Sequence, residues 1–147
     1  MAKMIFLNMP VADVEKSAKF YEALGFTRNE HFSNPGMCAS MVWSDTITLM
    51  VLSHDFYRSF VPHKAVADAA STSEMIICLS CDSRAEVDAF VEAAIAAGAT
   101  ADATPADDHG HMYGRNCEDL DGHILNAVWM DVDAFLASQQ QAAMADA

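Results

Sequence analysis

Apolar and polar positions divide the chain into short segments of two periodicities. Residues 4–11 form an apolar run that reads as a strand. Asp13 then offers a helix N-cap, Val14, Ala18, Tyr21 and Leu24 recur at helical spacing, and Gly25 supplies the stop. Residues 26–32 are a candidate strand, and Asn34-Pro35-Gly36 is a turn signal. Residues 37–43 and 46–52 read as two further strands, joined by Ser44-Asp45. The first unit is therefore β-α-β-β-β. Residues 54–60 can make a short helix ended near Pro62, and the Ala- and Ser-rich residues 65–73 look like a linker.

Beyond the linker the pattern returns. Residues 74–81 are apolar and read as a buried strand. Ser83 and Glu86 have capping-box spacing, with Asp82 as another possible cap. Val87, Phe90, Val91 and Ala94 line one helix face, and Gly98 ends it. Residues 100–103 suit a short strand and 107–110 a loop. Residues 112–117 and 123–130 are strands joined by the turn at 118–122. Residues 131–145 form a helical or frayed tail. The two halves superpose by offset: Phe20 maps to Phe90, Asp13 to Asp82, Gly25 to Gly98 and Asp45 to Asp121. This is a tandem repeat of one β-α-β-β-β unit, each too small to be stable alone.

Composition narrows the functional classes. The chain has 147 residues, 52% of them hydrophobic, with 8 Lys+Arg against 21 Asp+Glu and a formal net charge of −13. That length suits one compact domain or two half-domains, and the apolar content excludes a disordered chain. The acidity argues against nucleic-acid partners and anionic membrane surfaces. It leaves neutral or cationic small molecules as comfortable ligands, although solubility alone is the simpler account of an acidic surface. No apolar run reaches the ~18 residues of a membrane span, and the first residues are too short for a signal h-region. A cytoplasmic location follows as an expectation, with Cys38, Cys78, Cys81 and Cys117 reduced. Cys78 and Cys81 form a C-x-x-C, but on a strand these positions face opposite ways, so small core residues are the simpler reading.

The repeat resembles the vicinal oxygen chelate superfamily, which includes glyoxalase I, bleomycin-resistance proteins, fosfomycin-resistance enzymes and extradiol dioxygenases. The residues that carry the resemblance are Phe6-Leu7-Asn8-Met9-Pro10-Val11-Ala12-Asp13-Val14-Glu15-Lys16-Ser17, then Phe20-Tyr21 and Leu24-Gly25-Phe26. The second set is His109-Gly110-His111-Met112-Tyr113-Gly114-Arg115, followed by Asp119-Leu120-Asp121-Gly122-His123. Together they look like the branch of predicted lactoylglutathione lyases. The resemblance covers residues 4–131 and implies an α+β fold: two tandem β-α-β-β-β units forming a cup-shaped mixed sheet. It implies a vicinal-oxygen-chelate domain over residues 1–132, with units at 4–52 and 74–131, a linker at 53–73 and a tail at 133–147. It also implies a homodimer and a small-molecule ligand held in the cup.

Metal enzymes of this family place ligands on the first and last strands of each unit, where a divalent ion acts as a Lewis acid. Carried over by register, those positions are Phe6, Met50, Ile76 and Asn126. Three are apolar and one is an amide, whereas such sites need at least three good N or O donors. No cofactor is therefore expected, a divalent metal being the alternative. His109, His111 and an aspartate of the pair Asp107-Asp108 could build a different metal site, against the simpler reading of a polar loop with His123 capping its turn. His109, His111 and Tyr113 are the candidate acid–base residues, because histidine changes charge near neutral pH. Phe6, Asn8, Met50, Arg115 and Asn126 are the candidate ligand-binding residues. Arg115 offers a forked donor for a carboxylate or phosphate, or else pairs with surface acids. Asn8 and Asn126 are polar residues in apolar strands, either orienting a ligand or joining a structural network. The aromatic residues Trp43, Trp129, Phe32, Phe56, Tyr57 and Phe60 either stack a planar ligand or fill the core. The expected function is small-molecule binding without the usual metal ligands. Its two variants are sequestration of a cationic or planar compound and metal-free acid–base catalysis.

Overall fold

The computed structural model describes residues 1–146. The chain divides into two compact units, the first comprising Met1–Ser73 with Asp119–His123, the second Glu74–Glu118 with the chain from Ile124 onward. Unit 1 runs β1 (Ile5–Val11), α1 (Val14–Ala23), β2 (Thr27–Asn34), β3 (Cys38–Val42), β4 (Ile47–Ser53) and α2 (His54–Phe60). Its sheet has the order β1-β4-β3-β2, with β1 parallel to β4 and the other pairs antiparallel. Asp13 accepts from the Lys16 N–H at 3.0 Å and caps α1. Alternation along β1 and β4 sends Met9, Val11, Leu49 and Val51 into the core with Ala18, Tyr21 and Phe26. Phe26 lies just before β2 rather than opening it, and its ring packs between Tyr21 and Trp43 at 5.1 and 4.7 Å. The strand then continues to Asn34, with a register shift between Asn29 and Asn34.

The loop Asp119–His123, expected as a plain hairpin turn, is folded into unit 1. Asp119 is only 5% exposed. Its Oδ2 accepts from the Tyr21 hydroxyl at 2.6 Å, and its Oδ1 accepts from the Asp121, Gly122 and His123 amides. Asp121 in turn accepts from the Ala12 N–H at 2.8 Å, and the His123 ring Nε2 lies 2.7 Å from the Pro10 carbonyl oxygen. Gly122 is required here. Its φ is +101°, and a Cβ would sit 2.6 Å from the Ala69 carbonyl oxygen.

Unit 2 repeats the plan with β5 (Ile76–Ser80), α3 (Arg84–Ala96), β6 (Thr100–Ala101), β7 (Asp107–Asp108), β8 (Met112–Glu118), β9 (Ile124–Met130) and α4 (Val132–Ala145). The sheet order is β5-β9-β8-β6, with β7 also pairing β8 and with β5 parallel to β9. The capping box forms: Ser83 Oγ accepts from the Glu86 N–H at 3.1 Å and Glu86 Oε2 from the Asp82 N–H at 2.7 Å. Two expectations change. Asp107 and Asp108 are paired with β8 rather than free in a loop. Strand β5 is half-buried, not buried: Ile77 and Leu79 face the core, while Ile76, Cys78 and Ser80 are exposed. The four cysteines are unbridged, and only Cys117 is buried. The C-terminal tail is helical through Ala145, and Ala147 lies outside the described residues. Among the described residues no helix is long and apolar enough to cross a membrane.

Candidate functional site

In each unit the helix layer covers one sheet face and the opposite face carries a cavity. In unit 1 the cavity has a volume of about 650 Å³ and is lined by Met4, Phe6, Asn8, Asn29, Phe32, Ser40, Val42, Ser44, Asp45, Thr48 and Met50. The strand period accounts for this set. Phe6 and Asn8 alternate with the buried Met9 and Val11, and the β1–β4 register pairs Phe6 with Thr48 and Asn8 with Met50. Phe6 is 56% exposed and Phe32 68% exposed, so two phenyl rings stand uncovered in a largely apolar hollow. A smaller cavity of about 260 Å³ lies against Asn8, Leu52, Tyr57, Phe60 and Val61.

The unit 2 cavity has a volume of about 820 Å³. Its wall includes Ile76, Cys78 and Cys81, Met112 and Asn116, and Ile124, Asn126, Val128 and Met130. Cys78 and Cys81 thus both reach the cavity rather than the core. The register places Asn126 between Cys78 on β5 and Asn116 on β8. The Asn116 amide is already committed, donating to the Thr104 carbonyl oxygen at 3.1 Å and its hydroxyl oxygen at 2.9 Å. Asn126 Oδ1 is buried and has no hydrogen-bond partner among the described residues.

Of the residues singled out from sequence, Phe6, Asn8 and Met50 meet in the unit 1 cavity, and Ile76 and Asn126 in that of unit 2. Arg115 reaches the rim of the latter, but its guanidinium is spent. It donates to both oxygens of Asp102 (3.1 and 2.7 Å), to Asp88 (3.1 Å) and to Glu92 (3.2 Å). Those contacts hold the Asp102 carboxyl below the usual carboxylate range and push the guanidinium above its own; Asp88 is lowered first by the Tyr113 hydroxyl and then by Arg115. Arg115 is therefore a clamp among acids, as the surface-partner alternative had it, and offers no free fork to an anion.

Tyr113 donates to Asp88 Oδ1 at 2.7 Å, and its ring lies under the Arg84 guanidinium at 4.7 Å. The bond to Asp88 raises the phenol above its ordinary value, which keeps it protonated and unsuited to act as a base at neutral pH. His109 and His111 stack with centroids 6.5 Å apart, and His111 packs on Phe135 of α4 at 5.3 Å. Neither histidine lines the unit 2 cavity, and Tyr113 does not line it either. The three candidate acid–base groups are thus not assembled at this cavity. Phe32 was noted in sequence only as a stacking or core aromatic, yet it lines the unit 1 cavity. Asp119, which reading the sequence passed over as a turn residue, is pushed upward by burial and is partly offset by His123 and by the Tyr21 hydrogen bond.

The donor set was tested against the divalent metal that the resemblance implies. Phe6, Met50 and Ile76 offer no hard donor, and Asn126 offers one amide oxygen. Two-residue shifts, which keep the same sheet face, bring in Asn8, Thr48, Cys78 or Ile124, which still do not make three strong N or O ligands. Among the described residues no three His, Cys, Asp or Glu side chains are placed to hold a metal ion. These residues do not fit the metal.

Comparison with known proteins places the fold. Residues 3–43 match the family model described as bleomycin resistance protein-like N-terminal. Among curated proteins none matches this sequence. A hypothetical protein, SA1046 from S. aureus, is 27% identical, with 88% of this chain and 94% of that one covered at a TM-score of 0.71. A glyoxalase/bleomycin resistance protein/dioxygenase family enzyme from Burkholderia phytofirmans PsJN is 20% identical, covering 88% and 100%, with a TM-score of 0.73. A lactoylglutathione lyase from Agrobacterium tumefaciens is 14% identical, covering 88% and 94%, with a TM-score of 0.62. Paired sheets of this topology, the matching first segment and these neighbours together give the chain the fold of the glyoxalase/bleomycin resistance protein/dioxygenase superfamily.

Proposed function

We propose that the protein binds a small, largely apolar organic molecule, neutral or cationic, against the uncovered sheet faces, and holds it without a metal-dependent lyase step. One observation carries this reading: Phe6 and Phe32 stand more than half exposed in a hollow of about 650 Å³. Uncovered aromatic surface of that kind is costly in water and is recovered when a planar ligand covers it. The volume falls within the ~300–1,000 Å³ range of small-molecule sites. Asp45 at the wall and the net charge of −13 favour a positive ligand over a negative one. The bleomycin resistance protein-like N-terminal model matched by residues 3–43 spans Phe6, Asn8, Asn29 and Phe32, which is consistent with a ligand-binding role for this face. The lyase alternative lacks its donor set, and the three residues of the acid–base alternative, His109, His111 and Tyr113, line neither of these two cavities. A homodimer remains part of the proposal and is read from the mass in solution.

The test is a thermal-shift panel of planar aromatic compounds, each with and without a positive charge. A ligand that binds only the native state at about 100 times its Kd adds roughly 2.7 kcal/mol of stability and raises Tm by several degrees. Phe6→Ala is expected to weaken the best binder about tenfold while Tyr57→Phe, outside the unit 1 cavity, leaves it unchanged. If no compound raises Tm, or if Phe6→Ala leaves affinity intact, the reading fails.

A further inference from the structure

The unit 2 cavity contains a feature that its apolar wall does not explain. Asn126 Oδ1 is sealed from solvent and receives no hydrogen bond. A buried carbonyl without a donor is destabilising, and folded proteins seldom keep one without a purpose. The neighbours cannot supply the donor. Asn116 opposite has given its amide to Thr104, and the Arg115 guanidinium is filled by Asp102, Asp88 and Glu92. Around the orphan acceptor the surface is apolar or soft: Ile124, Val128, Met130, Met112 and the Cys78 thiol. Gly114, on the same wall, contributes no side chain.

We infer that Asn126 determines specificity in this cavity: rotation of its side-chain amide brings the carbonyl to an N–H or O–H of an otherwise apolar ligand. The inference rests on the small-molecule reading above and narrows it to a chemical class. The ligand carries at least one donor, an amine, amide, indole-type N–H or hydroxyl, and it is not an anion. An anion would find no free cation there, because the rim arginine is spent, and it would meet Asp107 on the same wall. A purely apolar molecule of the same shape would fill the cavity but leave the Asn126 carbonyl unsatisfied in a drier environment. A site built around a buried hydrogen-bonding group discriminates strongly against the analogue that lacks the matching group.

Matched pairs of probes test this: indole against benzothiophene, and 4-ethylaniline against 4-ethyltoluene, titrated by calorimetry into the wild type, Asn126→Leu and Asn126→Asp. The wild type is expected to prefer the donor-bearing member of each pair roughly tenfold, the size of one buried hydrogen bond. Asn126→Leu should erase the preference while retaining the apolar member. Asn126→Asp keeps an acceptor and loses the amide donor, so it should restore the preference if the carbonyl is the reading group. Asn126→Leu should also melt at or above the wild-type Tm, because it removes an unsatisfied group; if it does not fold, Asn126→Ala carries the same comparison. A clear drop in Tm, with Asn126 thereby shown to be satisfied within the free protein, overturns the inference. So does the absence of any preference within the pairs. Equal binding of both members leaves the broader binding reading standing, and no binding of any probe overturns the inference while the thermal-shift panel decides the broader reading.

Discussion

Tyr21→Phe removes one oxygen from the middle of unit 1 and tests whether the buried carboxylate of Asp119 depends on it. The Tyr21 hydroxyl donates to Asp119 Oδ2 at 2.6 Å, Tyr21 is fully buried and Asp119 nearly so. The three backbone amides on Asp119 all address Oδ1, so Oδ2 loses its side-chain donor when the hydroxyl goes. A hydrogen bond to a charged group contributes about 1.5–3 kcal/mol, and an abandoned buried acceptor cannot regain water. The expected loss is about 2 kcal/mol near pH 7, or about 4–8 °C in Tm for a chain of this size. The cost should shrink in acid. The Tyr21 bond lowers the Asp119 carboxyl, so it favours the ionised form, and burial pushes the same group upward more strongly. Once pH falls below the raised folded value the carboxyl is neutral, the bond is no longer charge-assisted, and Tyr21→Phe converges toward the wild type. The same raised value means that Asp119 itself favours folding below about pH 4 and progressively less as pH rises through its folded value. Urea titrations at several pH values would measure this, with Trp43 as the unit 1 fluorophore in a Trp129→Phe background, because the two units need not unfold as one. A loss below about 0.5 kcal/mol at pH 7, or a cost that grows as pH falls, would refute the reasoning.

Gly122→Ala should destabilise unit 1 by about 2 kcal/mol or more, combining a left-handed backbone with a Cβ 2.6 Å from the Ala69 carbonyl oxygen; a thermal melt that matches the wild type would contradict this. Arg115→Met should flatten the acid limb of stability. Asp88 and Asp102 are held below their ordinary value of 3.8, so their contribution is present above about pH 4 and lost as pH falls through the lowered folded values. Both carboxylates are substantially solvent-exposed, so the effect is modest, and it is read as a smaller fall in Tm between pH 5 and pH 2.5 than in the wild type.

The fold was legible because it is written twice. Helix caps, glycine stops and turn residues recur at near-constant offset, and each is a local signal with a local cause. Strand alternation likewise put Phe6 and Asn8 on one face, which the structure turns away from the core. What stayed hidden depended on distant partners or on parity without a reference. β5 reads as buried because Ile76, Ile77, Cys78 and Leu79 are all apolar, yet Ile76 and Cys78 stand exposed on the cavity face. Tyr113 and Arg115 share one face of β8, as spacing required, but spacing does not say which face. That is set by the acids of α3, where Asp88 and Glu92 sit one turn apart and draw both residues to the helix side. His109 and His111 were expected on one extended face; the chain instead turns at Gly110, at a φ of +78°, yet the two rings still stack, with His111 against Phe135. The role of Asp119 rests on a tyrosine 98 positions away, which no local pattern announces.

The repeat also explains why one family resemblance can stand without its metal. In each unit the first and last strands are adjacent and parallel, so one residue from each meets on the open face. In unit 1 that pair is Asn8 beside Met50, and in unit 2 it is Cys78 beside Asn126. Both pairs consist of one amide and one sulfur, exchanged between the strands. An amide gives a single neutral oxygen, a thioether or protonated thiol gives a weak and polarisable contact, and neither compensates a divalent cation for its lost hydration. The same two groups suit a different task. Sulfur and phenyl surface adapt to the outline of an organic molecule, while one amide per sheet face fixes its orientation at little electrostatic cost. The selectivity expected of such a surface comes from shape and from one or two hydrogen bonds. Substitution of Asn8 or Asn126 should accordingly change which ligands bind more than how stably the protein folds.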